Sequence, residues 1–228
     1  MSNLNSNIAI LEIRPGVGGE EAKIWADDLL RMYFRFAEKQ GWKAEIIQSG
    51  VLQIVGPQAY EKLKNESGVH RVQRIPKTER YGRIHTSTAT VVVLPEIGET
   101  EIKINPSDLR WEFYRASSQG GQNVQKVNTA VRLTHLPTGI VVNCEKERFQ
   151  EQNRQTALKL LRTKLWEQEE LKKEQTIAGY RSVVGRGMRA EKIRTYNFPQ
   201  NRVTNHRRGK SFYNLEEVID GHLEKIIL

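Results

Sequence analysis

The apolar residues in the first part of the chain follow two different periods. An isoleucine-rich run at Asn7–Ile13 predicts a strand, which the proline and glycines of residues 14–19 interrupt. Over Glu20–Gln40, large apolar residues recur at three- and four-residue spacing, as on one face of a helix that Gly41 is placed to end. This stripe consists of Ala22, Trp25, Leu29, Tyr33 and Phe36. The spacing predicts a strand followed by a long helix whose aromatic stripe belongs to the core.

Short β-type patterns follow this helix. Lys43–Ile47 and Val51–Val55 are predicted strands joined by a tight loop, and Gly56–Lys64 predicts a short helix. Val69–Ile75 alternates in the manner of a strand. Ile84–Leu94 is dense in threonine and valine, which strands favour, and is the clearest strand in the chain.

The second half mixes strands with one long helix. Strands are predicted at Leu109–Tyr114, Thr129–His135 and Ile140–Cys144, after a connector at residues 95–108. A helix is predicted over Gln150–Gln175. Its apolar stripe includes Ala157, Leu158, Leu161 and Leu165, with Trp166 and Leu171 as further candidates.

The last segment is basic. Residues 176–192 are interpreted as a flexible basic linker, Arg194–Phe198 as a strand and Leu215–Ile226 as a final helix. Between that strand and that helix lies a cationic cluster, which we assign to RNA phosphates: Arg202, His206, Arg207, Arg208 and Lys210.

The charge of the chain indicates its kind of partner. With 228 residues and 38% hydrophobic content the chain can bury one or two ordinary cores, and its net charge of +9 favours an anionic partner, most commonly nucleic acid. A membrane surface is the rival interpretation. No apolar run is long enough to span a bilayer and no N-terminal signal pattern is seen, so a cytoplasmic location is expected. The single Cys144 is expected to be a buried apolar residue.

A polar loop at residues 115–128 lies between two predicted strands. Its adjacent glycines, Gly120 and Gly121, allow backbone angles closed to other residues, and Gln122 follows them between the cations Arg115 and Lys126. The simplest interpretation is a hairpin turn, but about a dozen residues exceed what a turn requires, and loops of that length are usually functional or disordered. No Ser-His-Asp, Cys-His or metal-ligand set accompanies the loop, so neither a metal nor a cofactor is expected.

Several stretches of the sequence together resemble the class-1 peptide chain release factors. The stretches are Arg115–Val124, Ala130–Ile140, Glu66–Arg74, Gly82–Ser87 and Arg194–Val203. The resemblance covers nearly the whole chain. It implies an α+β fold in which a split codon-recognition unit carries an inserted Gly-Gly-Gln hydrolysis domain.

The resemblance implies catalysis by Gly120, Gly121 and Gln122. They would promote hydrolysis of the peptidyl-tRNA ester inside the ribosomal peptidyl transferase centre, which leaves open whether the chain counts as an enzyme. The family also implies N5-methylation of Gln122 by a dedicated glutamine methyltransferase. The expected partners are therefore the ribosome with its rRNA, a stop codon and peptidyl-tRNA, and that methyltransferase.

The positions that match the codon-reading residues of the family lie in the first half. From the residues alone, Gly18 and Glu21 can either complement the start of a helix or read the edge of a small base. The resemblance implies the second role, on the first-position uridine. It further implies that Thr78 lies near the first two bases, that His85 stacks between the second and third, and that Gln73 and Thr86 read the third.

The segment from Pro76 to Thr78 decides the implied codon set. Pro-x-Thr followed by His85 and Thr86 is similar to the pattern of the factor that reads UAA and UAG, whereas the UAA/UGA factor carries Ser-Pro-Phe. On spacing alone, ordinary turn chemistry and a surface histidine remain an alternative. The resemblance thus implies termination at UAA and UAG.

The implied domain boundaries divide the chain into three segments. Residues 1–105 would form the first part of the codon-recognition domain, 106–180 the hydrolysis domain, and 181–228 a part that packs with the first. Full-length members carry an N-terminal helical domain of roughly a hundred residues ahead of the segment that begins here at Asn7. A recycling GTPase is an expected partner only if its contact with the release factor does not depend on that N-terminal domain. The tight connection at residues 48–51 is shorter than in the family.

Two other functions compete with codon-dependent release. A codon-independent rescue hydrolase shares the Gly-Gly-Gln loop but lacks a decoding module and typically has a lysine-rich tail, whereas this sequence ends in Leu223–Leu228 and retains Pro76, Thr78 and His85. A related short release-factor homologue that acts on damaged, stalled ribosomes is harder to exclude, because it too lacks the N-terminal domain. A non-enzymatic RNA-binding module is the third class. Release that was equal on stop, sense and truncated messages would favour rescue.

Overall fold

The structure is a computed structural model, and it describes residues 4–76, 79–97, 104–115, 127–182, 184 and 187–227. The chain forms two compact units. The first comprises Met1–Gly98 with Thr176–Leu228, and the second comprises Glu99–Gln175. These boundaries lie a few residues before the expected ones at 105/106 and 180/181.

The first unit is built on an eight-stranded sheet whose strand order is β11-β10-β9-β4-β5-β1-β3-β2. The strands are β1 (Leu4–Pro15), β2 (Lys43–Gln48), β3 (Val51–Val55), β4 (Gly68–Arg74), β5 (His85–Ile97), and, from the C-terminal segment, β9 (Lys192–Asn197), β10 (Arg202–Asn205) and β11 (Lys210–Tyr213). Neighbouring strands are antiparallel except β4 and β9, which are parallel. The parallel pair joins the two halves of this unit.

One long helix covers one face of this sheet. Helix α1 (Glu20–Lys39) buries the predicted stripe, because Ala22, Trp25, Leu29, Tyr33 and Phe36 are all in the core. They pack with sheet residues that include Leu11, Leu52, Val72, Tyr196 and Val203. The helix ends where predicted, with Gly41 at φ +68°, an angle that favours glycine. The sequence-based interpretation of this helix is confirmed.

Short helices complete the first unit. Helix α2 (Ala59–Leu63) continues into a 3-10 turn at Lys64–Glu66. The predicted final helix is instead divided into α4 (Leu215–Ile219) and α5 (Glu224–Ile227). Gly221, at φ +98°, lies between them, and a Cβ there would lie 2.7 Å from the backbone nitrogen of Phe36. The close approach to α1 thus explains why one continuous helix was the wrong prediction.

A buried ion pair joins the two segments of this unit. Both Arg194 terminal nitrogens donate to the Glu66 carboxylate at 2.5 Å, and Tyr33 donates to the same carboxylate at 2.9 Å. His70 lies beside this group, with Nδ1 3.3 Å from the Tyr196 hydroxyl. Burial, and then the charge of Arg194, lower the pKa of His70 to about 4. His70 is therefore neutral in the folded protein at neutral pH.

The second unit contains a three-stranded sheet and a long helix. Strands β6 (Leu109–Tyr114), β7 (Ala130–His135) and β8 (Ile140–Cys144) form an antiparallel sheet in sequence order. Helix α3 (Gln150–Ser182) packs its buried Ala157, Leu161 and Leu165 on it. Buried Asn153 fastens the beginning of α3, because its amide nitrogen donates to the backbone oxygens of Thr129 and Glu147 at 2.9 Å each.

Two predictions for the helical segment were wrong. Trp166 and Leu171 are each 57% exposed, so the buried stripe stops at Leu165. Residues 176–182 are helical rather than a flexible linker, because Ile177 and Tyr180 pack with Val184 in a small core of the first unit. Arg181 adds an ion pair to Glu12 at 2.5 Å.

The described part of the chain contains no helix long and apolar enough to cross a membrane. Within those same residues, no group of histidine, cysteine and acidic side chains could hold a metal ion. Cys144 is buried, and burial raises the pKa of its thiol. Both units mix helices and strands, so the predicted α+β fold class is confirmed.

Candidate RNA-reading surface

One end of the eight-stranded sheet brings together residues from separate parts of the sequence. Strands β4 and β5 are paired so that Gln73 lies opposite Thr86 and Arg74 lies opposite His85. The loop between β1 and α1 contacts the same part of β5, since the Thr88 nitrogen donates to the Val17 oxygen at 2.9 Å. Five of the predicted site residues therefore lie in adjoining segments: Gly18, Glu21, Gln73, His85 and Thr86.

Gly18 allows the loop to lie directly against β5. Its φ is +144°, and a Cβ there would lie 2.3 Å from Ser87 Oγ and 2.6 Å from Ser87 Cβ. A side chain at residue 18 therefore requires both an unfavourable backbone angle and movement of the strand. This packing holds the N-terminus of α1 beside Ser87 and Thr88 of β5.

Among the described residues, no side chain caps the N-terminus of α1, whose N-cap residue is Gly19. The Ala22 nitrogen donates to the Gly19 oxygen at 3.1 Å. A helix begins with backbone N–H groups that lack acceptors within the helix, and the helix dipole makes this end partially positive. The start of α1 can therefore bind a carbonyl oxygen or an anion.

Glu21 is held by an arginine at the end of β4. Arg74 Nε donates to Glu21 Oε1 at 2.6 Å, and Arg74 Nη1 donates to Asp28 Oδ2 at 2.7 Å. The Arg74 guanidinium also lies over the rings of Trp25, at 5.8 Å, and Phe198, at 5.3 Å. Glu21 is only 4% exposed. This carboxylate thus joins α1 to β4, a role that its place in the first helical turn did not indicate.

Gln73 is oriented by a neighbouring strand. The Asn197 amide nitrogen donates to Gln73 Oε1 at 3.2 Å, and the Phe198 backbone nitrogen donates to the Gln73 oxygen at 3.0 Å. The bond from Asn197 uses the carbonyl of the Gln73 amide and leaves its NH2 group directed elsewhere. Half-buried Thr86 lies opposite Gln73 and adds a hydroxyl that can both donate and accept.

His85 is exposed at the start of β5 and is held by a carboxylate. Its Nε2 lies 2.6 Å from Glu79 Oε2. The Tyr81 backbone nitrogen donates to Glu79 Oε1 at 2.8 Å, and this bond, more than any other contact, holds the pKa of Glu79 below its usual range. The Glu79 nitrogen in turn donates to the oxygen of buried Pro76 at 3.1 Å. Thr78 lies outside the described residues.

Comparison with known proteins identifies the family. The PCRF domain model matches residues 2–91, and the RF-1 domain model matches residues 98–207. The chain is 56% identical to "Peptide chain release factor 1" of Thermotoga maritima over 97% of its own length and 68% of that protein. The chain belongs to the class-1 peptide chain release factor family.

Two further release factors show the same relationship. "Peptide chain release factor 1" of Aquifex aeolicus is 56% identical over 96% of this chain. "RF2 of Thermus thermophilus" superimposes with a TM-score of 0.57 at 41% identity, over 97% of this chain and 66% of that one. The chain spans 68% and 63% of the two release factor 1 relatives. The family expected from the motifs is confirmed.

The cations of this release-factor chain lie in different environments. Arg202 is half-buried on β10, and Arg208 is exposed in the turn before β11. Arg207 donates to the backbone oxygens of Asn65 at 2.5 Å and Ser67 at 2.8 Å. Arg207 therefore fastens the turn before β4, which is an internal role besides any contact with RNA.

The Gly-Gly-Gln loop is described only at its ends. Arg115 is exposed immediately after β6. Gly120, Gly121, Gln122 and Lys126 lie outside the described residues. After the loop, the Gln150 side chain donates to the Asn128 oxygen at 2.8 Å. The roles expected for the loop therefore rest on the sequence and the family.

The sequence reasoning missed residues that support this surface. Arg74, Glu79 and Asn197 each hold a predicted site residue: Glu21, His85 and Gln73 respectively. Arg74 is adjacent to Gln73, and Glu79 lies in the loop that carries Pro76, so their positions in the sequence could have indicated that they support the site. Nothing in the sequence indicated Asn197, because its contact depends on the parallel pairing of β4 with β9.

Proposed function

We propose that this chain terminates translation. It reads UAA and UAG on the ribosome and promotes hydrolysis of the ester that joins the peptide to tRNA. The observation that carries the proposal is the grouping of Gly18, Glu21, Gln73, His85 and Thr86 at one end of a sheet, in a member of the release factor family. The ribosome, a stop codon and peptidyl-tRNA are the partners, and the cytoplasm is the location.

The start of α1 suits a uracil at the first position. Uracil presents the O4 carbonyl as an acceptor, whereas cytosine presents an amino donor at the same place. The uncapped N–H groups after Gly18 therefore favour uracil, and Glu21, fixed by Arg74, keeps this end of the helix in place.

The remaining positions suit a purine-reading site. Adenine carries an amino donor where guanine carries a carbonyl. A threonine hydroxyl at residue 78 is proposed to read the second base, and the exposed His85 ring to stack on it. Gln73 and Thr86 both donate and accept, which suits either purine at the third position.

The Gly-Gly-Gln loop is the proposed catalytic part. A backbone N–H of the segment formed by Gly120, Gly121 and Gln122 stabilises the oxyanion that develops on the attacked carbonyl. The Gln122 side chain helps to admit only water to the ester. Arg115 and Lys126 contact RNA phosphates beside it, and Arg202, Arg207 and Arg208 do so in the C-terminal segment. Gln122 is the proposed substrate of a glutamine N5-methyltransferase, and a recycling GTPase is a further proposed partner.

Release should follow the codon. We expect peptide release from ribosomes programmed with UAA and UAG, and very weak release with UGA or a sense codon. The reason is that guanine at the second position leaves buried polar groups unpaired, at a cost of roughly 1–3 kcal/mol each. Single-turnover release on the four messages measures this.

The outcomes of this experiment separate the candidate functions. UGA release comparable to UAG would contradict the roles of Thr78 and His85 while leaving the Gln122 chemistry in place. Equal release on stop, sense and truncated messages would indicate a rescue hydrolase instead. RNA binding without ester hydrolysis on any message would indicate a binding module.

Gly18→Ala should weaken codon recognition. The added Cβ meets Ser87, and overpacking of this kind costs about 1–3 kcal/mol, so the concentration for half-maximal release at UAA should rise about tenfold or more. Gly19→Ala is the matched control, because Gly19 also has a positive φ, +61°, at which alanine is strained, but has no atom of the described residues within 4 Å of an added Cβ. The difference between the two variants therefore measures the contact with Ser87. The Ser87→Gly change should partly restore Gly18→Ala. Equal effects of the two alanine variants would contradict the close approach to β5.

A further inference from the structure

A single row of side chains crosses five neighbouring strands of the first unit. Cross-strand pairing places Thr86 of β5 opposite Gln73 of β4, Gln73 opposite Asn197 of β9, Asn197 opposite Arg202 of β10, and Arg202 opposite Tyr213 of β11. Paired residues in adjacent strands project from the same face of a sheet. We call these residues the Thr86 row. The row lies on the face opposite to α1, whose side of the sheet holds Val72, Tyr196 and Val203.

The row begins at the proposed codon-reading residues and continues beyond them. The sheet order β1, β5, β4, β9, β10, β11 follows the proposed order of the bases. The first base lies at the end of β1, the second and third lie at His85 and Thr86 of β5, and the third also contacts Gln73 of β4. The next positions, on β9 to β11, belong to no base of the codon.

These next positions carry groups that suit RNA. Arg202 is half-buried, and its buried Nε has no hydrogen-bond partner among the described residues. No ion pair with those residues neutralises this guanidinium, so its charge can attract a phosphate. Tyr213 is 70% exposed, and an exposed aromatic ring at a polar sheet face can stack on an unpaired base. Asn197 lies between Arg202 and the codon site: it is paired with Arg202 across the strands, and its amide nitrogen donates to Gln73 Oε1.

The charge around the row favours a polyanion. The sequence from Lys192 to Asn214 contains no aspartate or glutamate. Arg194 in this stretch is buried in its ion pair with Glu66, which leaves five cations to attract an anion: Lys192, Arg202, Arg207, Arg208 and Lys210. An adjacent row on the same face is also polar, and consists of Arg71, Thr195, Thr204 and Ser211. Burial, then the charges of Lys192 and Arg71, lower the pKa of His206 beside it. The two rows therefore place the cations Arg71 and Arg202 on this face.

We propose that Asn197, Arg202 and Tyr213 form a site for the nucleotide that immediately follows the stop codon on its 3′ side. Arg202 binds the phosphate that joins this nucleotide to the third codon base, and Tyr213 stacks on its base. Strands lie about 4.8 Å apart, so the row extends about 14 Å from Gln73 to Tyr213. That length accommodates a phosphate and one further stacked base. The inference rests on the proposed function, because it takes Gln73 and Thr86 as readers of the third base.

The test compares two messages that differ only after the stop codon. One message ends with the third base of UAA, and the other carries one more nucleotide. For the unaltered chain we expect the extra nucleotide to lower the concentration for half-maximal release about fivefold or more, because stacking and a phosphate contact both favour binding. The maximal rate of release should not change, because the row does not contact the ester.

Variants of the row should remove this gain selectively. Tyr213→Leu should reduce the advantage of the longer message to about twofold or less, and should leave release on the shorter message unchanged. Arg202→Gln should also reduce this advantage to about twofold or less. Tyr213→Phe and Arg202→Lys should retain it in large part, because the ring and the charge remain. Lys43→Gln is the control, because Lys43 is an exposed cation on β2, at the opposite edge of the same sheet.

The outcomes are distinguishable from a failure of the proposed function. No UAA release by the unaltered chain on either message would contradict termination itself. Equal losses on both messages in Tyr213→Leu would assign the row to ribosomal RNA and overturn the inference. Unchanged release by both variants on both messages would also overturn it. A gain that weakens with added salt in the unaltered chain, but not in Arg202→Gln, would support the phosphate contact.

Discussion

Glu66→Gln is expected to destabilise the first unit by about 3–5 kcal/mol, because removing one partner of a buried ion pair leaves the other charge uncompensated. Glu66 is 1% exposed and Arg194 is 2% exposed, so neither charge can turn to water. Burial alone would lower the pKa of Arg194, but the Glu66 carboxylate raises it above its ordinary value. The Glu66 carboxylate therefore stabilises the charge of Arg194, and Glu66→Gln leaves that charge uncompensated in the core.

The ion pair also determines how the unit is assembled. Glu66 precedes β4 and Arg194 lies on β9, 128 residues later in the chain. Burial, and then the charge of Glu66, raise the pKa of Tyr33 well above its usual value, so its hydroxyl remains a donor to the carboxylate. Loss of Glu66 thus weakens the contact between the C-terminal segment, β4 and α1 together.

A double-mutant cycle separates the pair from its surroundings. Arg194→Met alone should cost several kcal/mol, whereas Glu66→Gln with Arg194→Met should cost clearly less than the sum, because no buried charge remains. Glu20→Gln is the control, since its ion pair with Lys23 is exposed to solvent and should contribute little to stability.

Hydrogen exchange measures this prediction best. The two units can unfold in separate transitions, so a single melting temperature does not isolate the first unit. Exchange of the amides of β4 and β9 reports on the paired strands directly. Additive costs in the cycle, or a Glu66→Gln protein as stable as the control, would contradict a strong coupling between Glu66 and Arg194.

The sequence predicted the elements with strong periodicity. The stripe from Ala22 to Phe36 is regular enough to identify α1, and β5 is rich in threonine and valine, so both were found within a few residues. The strands β10 and β11 were missed, because four residues each are too short to show a period, and their cations were interpreted as a cluster in a loop.

Contacts between distant segments could not be predicted from the sequence. The parallel pairing of β4 with β9 sets the register of the two strands. It places Asn197 opposite Gln73 and Arg194 opposite His70. That register follows from packing over the whole sheet. Residues 176–182 were predicted as part of a linker because glycines and basic residues recur over residues 176–192, but Ile177 and Tyr180 pack in a small core and the helix continues to Ser182.

Gly121→Ala is expected to reduce single-turnover peptide release at UAA by about 10²–10³-fold, the usual effect of losing one donor to a developing oxyanion. A Cβ at residue 121 restricts the backbone angles with which a neighbouring N–H can reach the attacked carbonyl. Gln122→Ala should have a smaller effect, because it removes the side chain and keeps the backbone donor. Both variants should bind the stop-codon ribosome with unchanged half-maximal concentration.

Gly139→Ala is the matched control for this effect. Gly139 lies in the turn between β7 and β8 of the same unit, at φ +70° and with no atom of the described residues within 4 Å of an added Cβ. Its replacement strains the backbone of the second unit by about 1–2 kcal/mol without touching the Gly-Gly-Gln loop, so the release rate should remain within about threefold of the unaltered chain. If Gly121→Ala released peptide at the unaltered rate, or if Gly139→Ala were equally slow, stabilisation of the oxyanion by the backbone of this loop would be the wrong mechanism.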